Sequence, residues 1–339
     1  METSVLSEQF RRFAERECKG SSLLYEQLAS RIASDEELLT MLSASRAGQP
    51  VPNLFLAAVH YLLFQGRQHA LRQFYPSLVE QPRAASEAFP AFKAFCLLHR
   101  NDISRLLATK LVQTNEVRRC AYLYPVFCHI HQLTTKPLAL VEIGTSAGLQ
   151  LLWDQYKYSY NGMDGCFGNQ QSDFVMEATI RGTNRPILLR ESPPVASRLG
   201  IDLHVNRLQN KEDRMWLKAL IWPEHTQRRN HFNAAARLFQ QQDVQLIQGD
   251  GIAYLDQIEA DSANALCIFH THVANQLTKD AKKRLFDGIH RLGETRDVFH
   301  LYNNMWDAEL HLDSYMGGKH RSLTLAETDG HGRWFSWKL

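Results

Sequence analysis

A glycine-rich turn with the sequence EIGTSAG, at residues 142–148, has residue types that could bind a ligand. It follows the largely apolar run 138–143, which is typical of a buried parallel strand, and a helix is predicted behind it over residues 149–156. Gly144 can adopt the positive φ of a tight turn, and Gly148 lets the helix pack close to the strand. The N–H groups of the turn and the helix N-terminus would face a ligand at the carboxyl end of a sheet, although a plain strand–helix turn would use the same glycines. The candidate binding residues of this turn are Glu142, Gly144, Thr145, Ser146 and Gly148.

Two histidines follow another apolar run and could transfer protons or hold a metal. His270 and His272 flank a threonine directly after the strand-like residues 266–269. If the strand continued, both side chains would point to the same face, and if the chain turned, only one would reach a pocket. Either histidine could act as a general base, could ligate a metal with His300 or Asp250, or could be a hydrogen-bonded structural residue. Both are candidate catalytic residues, and no metal is expected because no third ligand stands at a diagnostic spacing.

Length and composition describe a soluble protein with two domains. The chain has 339 residues, more than one compact core usually holds, with 44% hydrophobic and 22% charged residues. Its net charge of +2 favours neither nucleic acid nor an anionic membrane as a partner. The N-terminus lacks the pattern of a signal peptide, and the longest apolar stretch, residues 54–64, is about half of a membrane-spanning helix. Six cysteines without C-x-x-C spacing predict buried thiols and a cytoplasmic location.

The pattern of apolar residues changes near Pro137. Before it, the spacing is helical and predicts an all-helical domain over residues 1–133, in which Arg118 and Arg119 are interpreted as a solvated helix face. After it, short aliphatic runs alternate with helical stretches, which predicts an α/β domain over residues 134–339 with a doubly wound, mostly parallel sheet. Residues 157–197 break this alternation and are interpreted as an insertion. Further predicted elements are a small hairpin in the insertion (173–181 and 186–190), strands at 200–203 and 244–248, a helix at 252–258, and a terminal hairpin (322–327 and 333–338) that supplies a reversed last strand.

The order of these motifs resembles that of class I methyltransferases that depend on S-adenosylmethionine (SAM). E-x-G-x-S-x-G looks like motif I of that fold, with Ser146 where glycine is commoner, and the reversed last strand is similar too. The resemblance implies that the turn holds the methionine part of SAM, that Asp202 in GIDL binds the ribose, and that Asp250 beside Gly251 in QGDG reaches the adenine. It also implies that the segment 270–272 lines the methyl group.

Two of these residues have simpler interpretations. Asp202 lies much farther from the glycine turn than the roughly 20 residues usual in such folds, although the inserted segment would explain the distance. It could instead be a turn residue, and Asp250 could cap the following helix, since aspartate is a favoured cap.

The whole chain also resembles a bacterial family catalogued as domain of unknown function 2332. The resemblance rests on the segments EIGTSAGLQLLWDQYKY, SRLGIDLHV, WLKALIWPEH, QGDGIAYL and IFHTHV, which cover most of residues 140–275. It supports the fold and implies no substrate.

The sequence therefore predicts a SAM-dependent methyltransferase whose acceptor is a small molecule or a protein. One alternative is a non-catalytic binding or scaffold protein with the same fold, which the lack of a familiar acceptor motif such as N-P-P-Y favours. The other is an NAD-dependent oxidoreductase, which is disfavoured because no acid ends a strand about 20 residues after the turn. The oligomeric state stays open.

Overall fold

The computed structural model describes residues 2–43, 45–46, 48–113, 115–259 and 261–339. Its contacts form two compact units, one of residues 1–114 and 210–230 and the other of residues 115–209 and 231–339. None of the helices in these described ranges combines the length and apolar character that crossing a membrane requires. The α-helices are α1 (Thr3–Phe13), α2 (Leu23–Ile32), α3 (Glu36–Leu42), α4 (Val51–Phe64), α5 (Ala88–Leu98), α6 (Arg100–Thr109), α7 (Cys120–Thr134), α8 (Lys211–Ala219), α9 (Thr226–Phe239) and α10 (Lys279–Thr295).

The first unit is helical, as its apolar spacing predicts. The side chain of Ser22 accepts a hydrogen bond from a backbone N–H in the first turn of α2, and Asp35 does the same for α3. Trp216 and Ala219 of α8 lie in the same apolar core as α1–α6, and the Trp216 indole N–H donates to the carbonyl of Leu111 at 2.8 Å. Burial of this aromatic side chain explains why a segment from far along the chain belongs to the first unit. The division between residues 133 and 134 stays a prediction about independent folding.

The second unit is built on one mixed sheet, whose described residues form eleven strands. Their order across the sheet is β3–β2–β4–β11–β10–β9–β8–β7–β1–β5–β6. The strands are β1 (Leu138–Ile143), β2 (Lys157–Tyr160), β3 (Phe167–Gly168), β4 (Val175–Arg181), β5 (Val195–Asp202), β6 (Gln245–Gln248), β7 (Ala265–His270), β8 (Val298–Tyr302), β9 (Glu309–Met316), β10 (Lys319–Thr328) and β11 (Trp334–Trp337).

The strands β6, β5, β1, β7 and β8 are parallel neighbours. Numbered by their own order along the chain, they run 3-2-1-4-5, the order of a doubly wound sheet. The chain therefore builds one side of the sheet from β1 to β6 and then crosses back to add β7 on the other side of β1. Ligands in open α/β sheets bind at the carboxyl ends of the strands where the order reverses, which here is between β1 and β7.

The terminal hairpin is confirmed as β10 and β11, and β11 runs opposite to the parallel strands, as predicted. The strand directly beside β8 is β9, which is also antiparallel to it and which the sequence pattern did not reveal. Buried polar side chains such as Asp313 interrupt the apolar alternation of β9, and this composition hides a strand from pattern analysis.

The predicted helices at 149–156 and 252–258 are wrong in type, because both segments are short 3-10 turns. In the first, hydroxyl groups take carbonyls that an α-helix would use: the Tyr156 hydroxyl donates to the Leu149 carbonyl at 2.7 Å, and the Tyr158 hydroxyl donates to the Trp153 carbonyl at 2.5 Å. Leu152 has non-helical dihedral angles between them. No regular helix therefore begins behind the glycine turn, and the helix-dipole argument for anion binding loses its basis there.

The small hairpin predicted inside residues 157–197 is also wrong. β4 pairs in parallel with β2 on one side and with β11 on the other, and residues 186–190 form no strand. Their carbonyls bond side chains instead, since the Tyr124 hydroxyl donates to the Leu189 carbonyl at 2.6 Å. The inserted segment thus extends the sheet by β2, β3 and β4, a long-range pairing that local sequence cannot show.

Candidate functional site

Backbone strain gathers at the carboxyl edge of the parallel strands. Four non-glycine residues in the described part of the chain have a positive φ, and three of them follow strands of this edge. Ser146 (φ 53°) follows β1, His272 (φ 56°) follows β7 and Asn304 (φ 55°) follows β8. Such conformations persist only where the surroundings enforce them, and they cluster at functional sites. This edge is therefore the candidate functional site.

The glycine turn after β1 is held by hydrogen bonds inside the protein. The N–H groups of Gly144 and Thr145 both donate to the Ile201 carbonyl, at 2.8 and 3.3 Å. The Ser146 N–H donates to the Asp202 carboxylate at 2.7 Å, and the Gly148 N–H donates to the Thr145 carbonyl at 2.9 Å. These amides fix the turn on β5 first, and a ligand would have to share them.

A side chain from the segment after β7 covers the turn. A Cβ atom added at Gly144 would lie 2.3 Å from Val273 Cγ2 and 3.1 Å from Val273 Cγ1. Gly144 has a φ of 74°, so both its backbone conformation and its neighbour exclude a side chain. Val273 thus occupies the position that a side chain at Gly144 would take.

Glu142 lies under the turn with its carboxyl group buried. Burial raises its pKa to about 8, and the nearby Asp202 charge acts in the same direction, while the Thr145 hydroxyl and Arg119 act against them. The Thr145 hydroxyl donates to Glu142 at 2.6 Å. Glu142 therefore holds a proton over much of the neutral range, and it braces the turn from below.

Asp202 ends β5, Asp250 lies two residues after the neighbouring strand β6, and both lie on the same edge as the turn. The Gly249 N–H donates to the Asp202 carbonyl at 2.8 Å, which joins the two strand ends. Asp250 is exposed and accepts from the Ile252 N–H at 2.9 Å, as a capping residue does. No atom lies within 4 Å of a Cβ added at Gly249. This part of the edge is open.

Gly251 and Asp202 serve the packing of this edge as well. A Cβ at Gly251 would lie 2.8 Å from Ile143 Cγ2, so glycine lets the loop after β6 approach the tip of β1. The Asp202 carboxylate also accepts from the His204 N–H at 3.0 Å, which is the turn contact that its sequence position suggested. The two predicted aspartates and the glycine turn are brought together by β1, β5 and β6.

The two candidate catalytic histidines lie apart because the chain turns at His272. His270 is buried, and its Nε2 lies 3.1 Å from His300 Nε2 on the next strand. His300 Nδ1 lies 3.9 Å from the Asp313 carboxylate. Burial lowers the pKa of His270 to about 3 and that of His300 well below its usual value. His270 is therefore a neutral partner of His300 inside the fold.

His272 is the histidine that remains at the strand edge. Its backbone N–H donates to the Asn303 side-chain carbonyl at 2.9 Å, and its imidazole ring lies 3.6 Å from the Cβ position of Gly330. Burial, together with Arg119 and His331, lowers the pKa of His272 to about 3. His272 is accordingly neutral at pH 7 and available as a hydrogen-bonding group.

A buried polar network beside His272 escaped the sequence analysis. Arg119, interpreted above as solvated, is buried; its Nε donates to the Gly330 carbonyl at 3.0 Å, and its Nη1 lies 3.4 Å from the Thr271 hydroxyl. Thr271 in turn donates to the Gln150 side chain at 2.9 Å. Arg118 is buried as well. The one sequence feature that could have indicated this network is the glycine-rich turn near residue 330. Its Gly332 lets the hairpin approach the backbone of residues 118 and 119.

Three side chains that could ligate a metal come together among the described residues at Asp307, Glu309 and His311. His311 Nε2 lies 2.8 Å from Asp307, and Lys338 pairs with Glu309. These groups therefore satisfy one another at the surface.

The two halves of a SAM site fit this edge unequally. The open corner at Asp202, Gly249 and Asp250 offers carboxylates and free space to an adenosine group. The space above Gly144, where the methionine end would lie, is filled by Val273. The corner at Gly249 is open as it stands, and the space beside Gly144 is free only if Val273 moves.

Comparison with known proteins identifies the chain at the level of its family. No curated protein and no solved structure matches it. The family model described as "Uncharacterized protein conserved in bacteria (DUF2332)" matches residues 7–337. Because that match covers nearly the whole chain, the protein belongs to the DUF2332 family of bacterial proteins.

Proposed function

We propose that the second unit binds SAM at the carboxyl edge of β6, β5 and β1, and that the protein is a methyltransferase. The observation that carries the proposal is the coincidence of three features at one edge: the reversal of strand order, the glycine turn, and strained residues after β1, β7 and β8. In a strand order of 3-2-1-4-5, Asp202 and Asp250 lie on one side of the reversal, after β5 and β6, and His272 lies on the other side, after β7.

The roles of the residues follow from their positions. In this proposal the Asp202 carboxylate, which already accepts from the Ser146 and His204 N–H groups, also accepts from the ribose hydroxyls, and Asp250, after β6, accepts from the adenine amino group. Glu142 and Thr145 hold the glycine turn in shape through their 2.6 Å hydrogen bond. Bound SAM supplies an activated methyl group, and alignment of the acceptor with it provides much of the rate.

The acceptor is expected beside His272, because His270 is engaged with His300 inside the fold. A neutral imidazole with a lowered pKa orients an acceptor better than it removes a proton. We therefore propose a small molecule or protein side chain that offers a lone pair without first losing a proton.

A second candidate is a binding or scaffold protein without catalysis. Two observations favour it: Val273 covers Gly144, and four N–H groups of the turn, those of Gly144, Thr145, Ser146 and Gly148, already donate to the protein. In that case the glycine turn would serve only the packing of the fold, and SAM would not change the thermal stability of the protein.

Thermal unfolding of the full chain with SAM, S-adenosylhomocysteine and NAD distinguishes these functions. A ligand that binds only the folded state stabilises it by about 2.7 kcal/mol at 100 times its Kd. We expect stabilisation by the first two ligands and none by NAD. Stabilisation by NAD alone would support an oxidoreductase, and stabilisation by none would support the scaffold.

A pair of aspartate variants at the two ends of β6 locates the site. Asp250→Asn keeps an oxygen for the cap but removes the charge and an acceptor for the adenine amino group, so we expect it to lose most of the stabilisation by SAM. Asp243→Asn is the matched control, because Asp243 is an exposed aspartate before the amino end of β6. Equal stabilisation of both variants would place the ligand elsewhere.

A further inference from the structure

We propose that Val273 is a specificity-determining residue, which excludes the methionine end of SAM from the glycine turn until the segment 271–276 moves. The inference rests on the proposed SAM site and assigns a role to Val273, which ends the segment IFHTHV and received no role from the sequence. It implies that the closed edge admits a ligand that ends at the ribose more readily than one that carries an amino acid.

The first step of the argument is the contact itself. Cγ2, Cγ1 and Cβ of Val273 lie 2.3, 3.1 and 3.3 Å from the Cβ position of Gly144, so the whole isopropyl group covers the turn. A chain of ligand atoms cannot occupy that volume at the same time. The corner at Gly249 is separate from this contact, since nothing lies within 4 Å of its Cβ position.

The second step is how the segment is held. Thr271 is tied to Gln150 by a 2.9 Å hydrogen bond, and Ala274 is fully buried in the apolar core on the α10 side of the sheet. Val273 is only half-buried between these two fixed points. Residues 272 and 273 can therefore move while Thr271 and Ala274 remain attached.

The third step is the strain beside Val273. His272 has a φ of 56°, a left-handed conformation that is strained for a non-glycine residue, and its backbone N–H donates to the Asn303 side chain at 2.9 Å. Rotation of His272 to an extended conformation would relieve the strain and carry Val273 away from Gly144. The closed state is thus opposed by strain. It is maintained by the hydrogen bond to Asn303, by the hydrogen bond that the Gln276 N–H donates to the Val273 carbonyl at 2.9 Å, and by the apolar contact.

The consequence is a difference between ligands. A ligand that requires the open state has an apparent affinity reduced by the open fraction, whereas a ligand indifferent to the segment does not. Adenosine needs only the corner at Asp202 and Asp250. SAM and S-adenosylhomocysteine also need the space above Gly144, so Val273 acts on them and not on adenosine.

Calorimetric titration of the full chain with adenosine, S-adenosylhomocysteine and SAM tests this inference. We expect Val273→Ala to bind the two larger ligands about tenfold more tightly than the parent, because about 1.4 kcal/mol of contact that closes the segment is lost. Adenosine affinity should be unchanged. Leu277→Ala is the matched control, because Leu277 lies in the same region but packs against the apolar core.

Each outcome decides something. The inference is supported if Val273→Ala, and not Leu277→Ala, binds the two larger ligands more tightly. Unchanged affinity of Val273→Ala for all three ligands overturns the inference and leaves the proposed SAM site standing. Failure of the parent and the variant to bind any of the three ligands overturns the proposed function and this inference with it. If Val273→Ala does not fold, Val273→Thr keeps the volume and weakens the apolar contact, and it should shift the affinities in the same direction.

Discussion

Acid should destabilise the second unit through the histidine pair between β7 and β8. His270 and His300 are both buried, with their Nε2 atoms 3.1 Å apart. Burial lowers the pKa of His270 to about 3 and lowers that of His300 well below its usual value. The groups that face the pair are the Asp313 carboxylate, 3.9 Å from His300, and the rings of Tyr302 and Phe286.

The sign and size of the effect follow from proton binding. In the unfolded chain each histidine takes up a proton near pH 6.5, whereas in the folded state it stays neutral until the pH falls to its lowered pKa. The unfolded state therefore binds more protons between pH 6.5 and about 3, and stability falls with pH in that window. Between pH 7 and pH 5 each histidine should cost about 2 kcal/mol of unfolding free energy, or about 4 kcal/mol for the pair.

Urea unfolding at pH 7 and pH 5 measures this difference. The double variant His270→Leu/His300→Leu has no such histidines and should lose about 4 kcal/mol less than the parent on acidification. His290→Gln on α10 is the control, because His290 is exposed. The double variant isolates the pair from opposing groups such as Glu142, whose raised pKa favours the folded state as the pH falls from 8 towards 4.5. An equal loss of stability in the parent and the double variant would refute the reasoning.

Two further predictions concern stability at neutral pH. Gly332→Ala should cost at least about 3 kcal/mol of unfolding free energy, because Gly332 has a φ of 69° and its added Cβ would lie 2.3 Å from the Arg118 carbonyl oxygen. The control Gly317→Ala should cost only about 1 kcal/mol, because Gly317 has a φ of 54° but open space around it. Equal losses in urea unfolding would contradict the packing argument. Asp154→Ala should cost about 3–5 kcal/mol, because it removes a buried carboxylate 2.5 Å from Arg198, whose side chain is only 11% exposed. Adding Arg198→Met should recover part of this loss in the same assay, and no recovery would show that the charge was not the cause.

Much of the sheet could be predicted because its strands are coded locally. β1 and β7 are buried along their whole lengths, and such strands appear in sequence as continuous apolar runs. The glycine turn after β1 was predictable for the same reason, since Gly144 and Gly148 both have the positive φ that their residue type allows. The presence of the two aspartates at strand ends also followed from the order of the motifs.

The contacts of the site could not be predicted, because they join segments distant in sequence. Nothing near residue 273 indicates that a valine covers Gly144, and nothing near residue 119 indicates a buried guanidinium beside Thr271. The predicted helix behind the turn was wrong because the hydroxyl groups of Tyr156 and Tyr158 donate to carbonyls of that segment. Helix propensity does not account for side-chain hydrogen bonds that compete for these carbonyls.

Residue types and their spacing were enough to assign the chain's α/β character, the helical start and the place of the glycine turn, since these depend on neighbours a few positions away. Whether that turn is open, which histidine stands at the edge, and what Glu142 does were decided by packing. Backbone periodicity is a short-range property, whereas burial, and the pKa values that burial sets, arise only when β1, β5, β7 and the segment 271–276 come together. The Val273–Gly144 contact is therefore a feature of this edge that only the tertiary structure reveals.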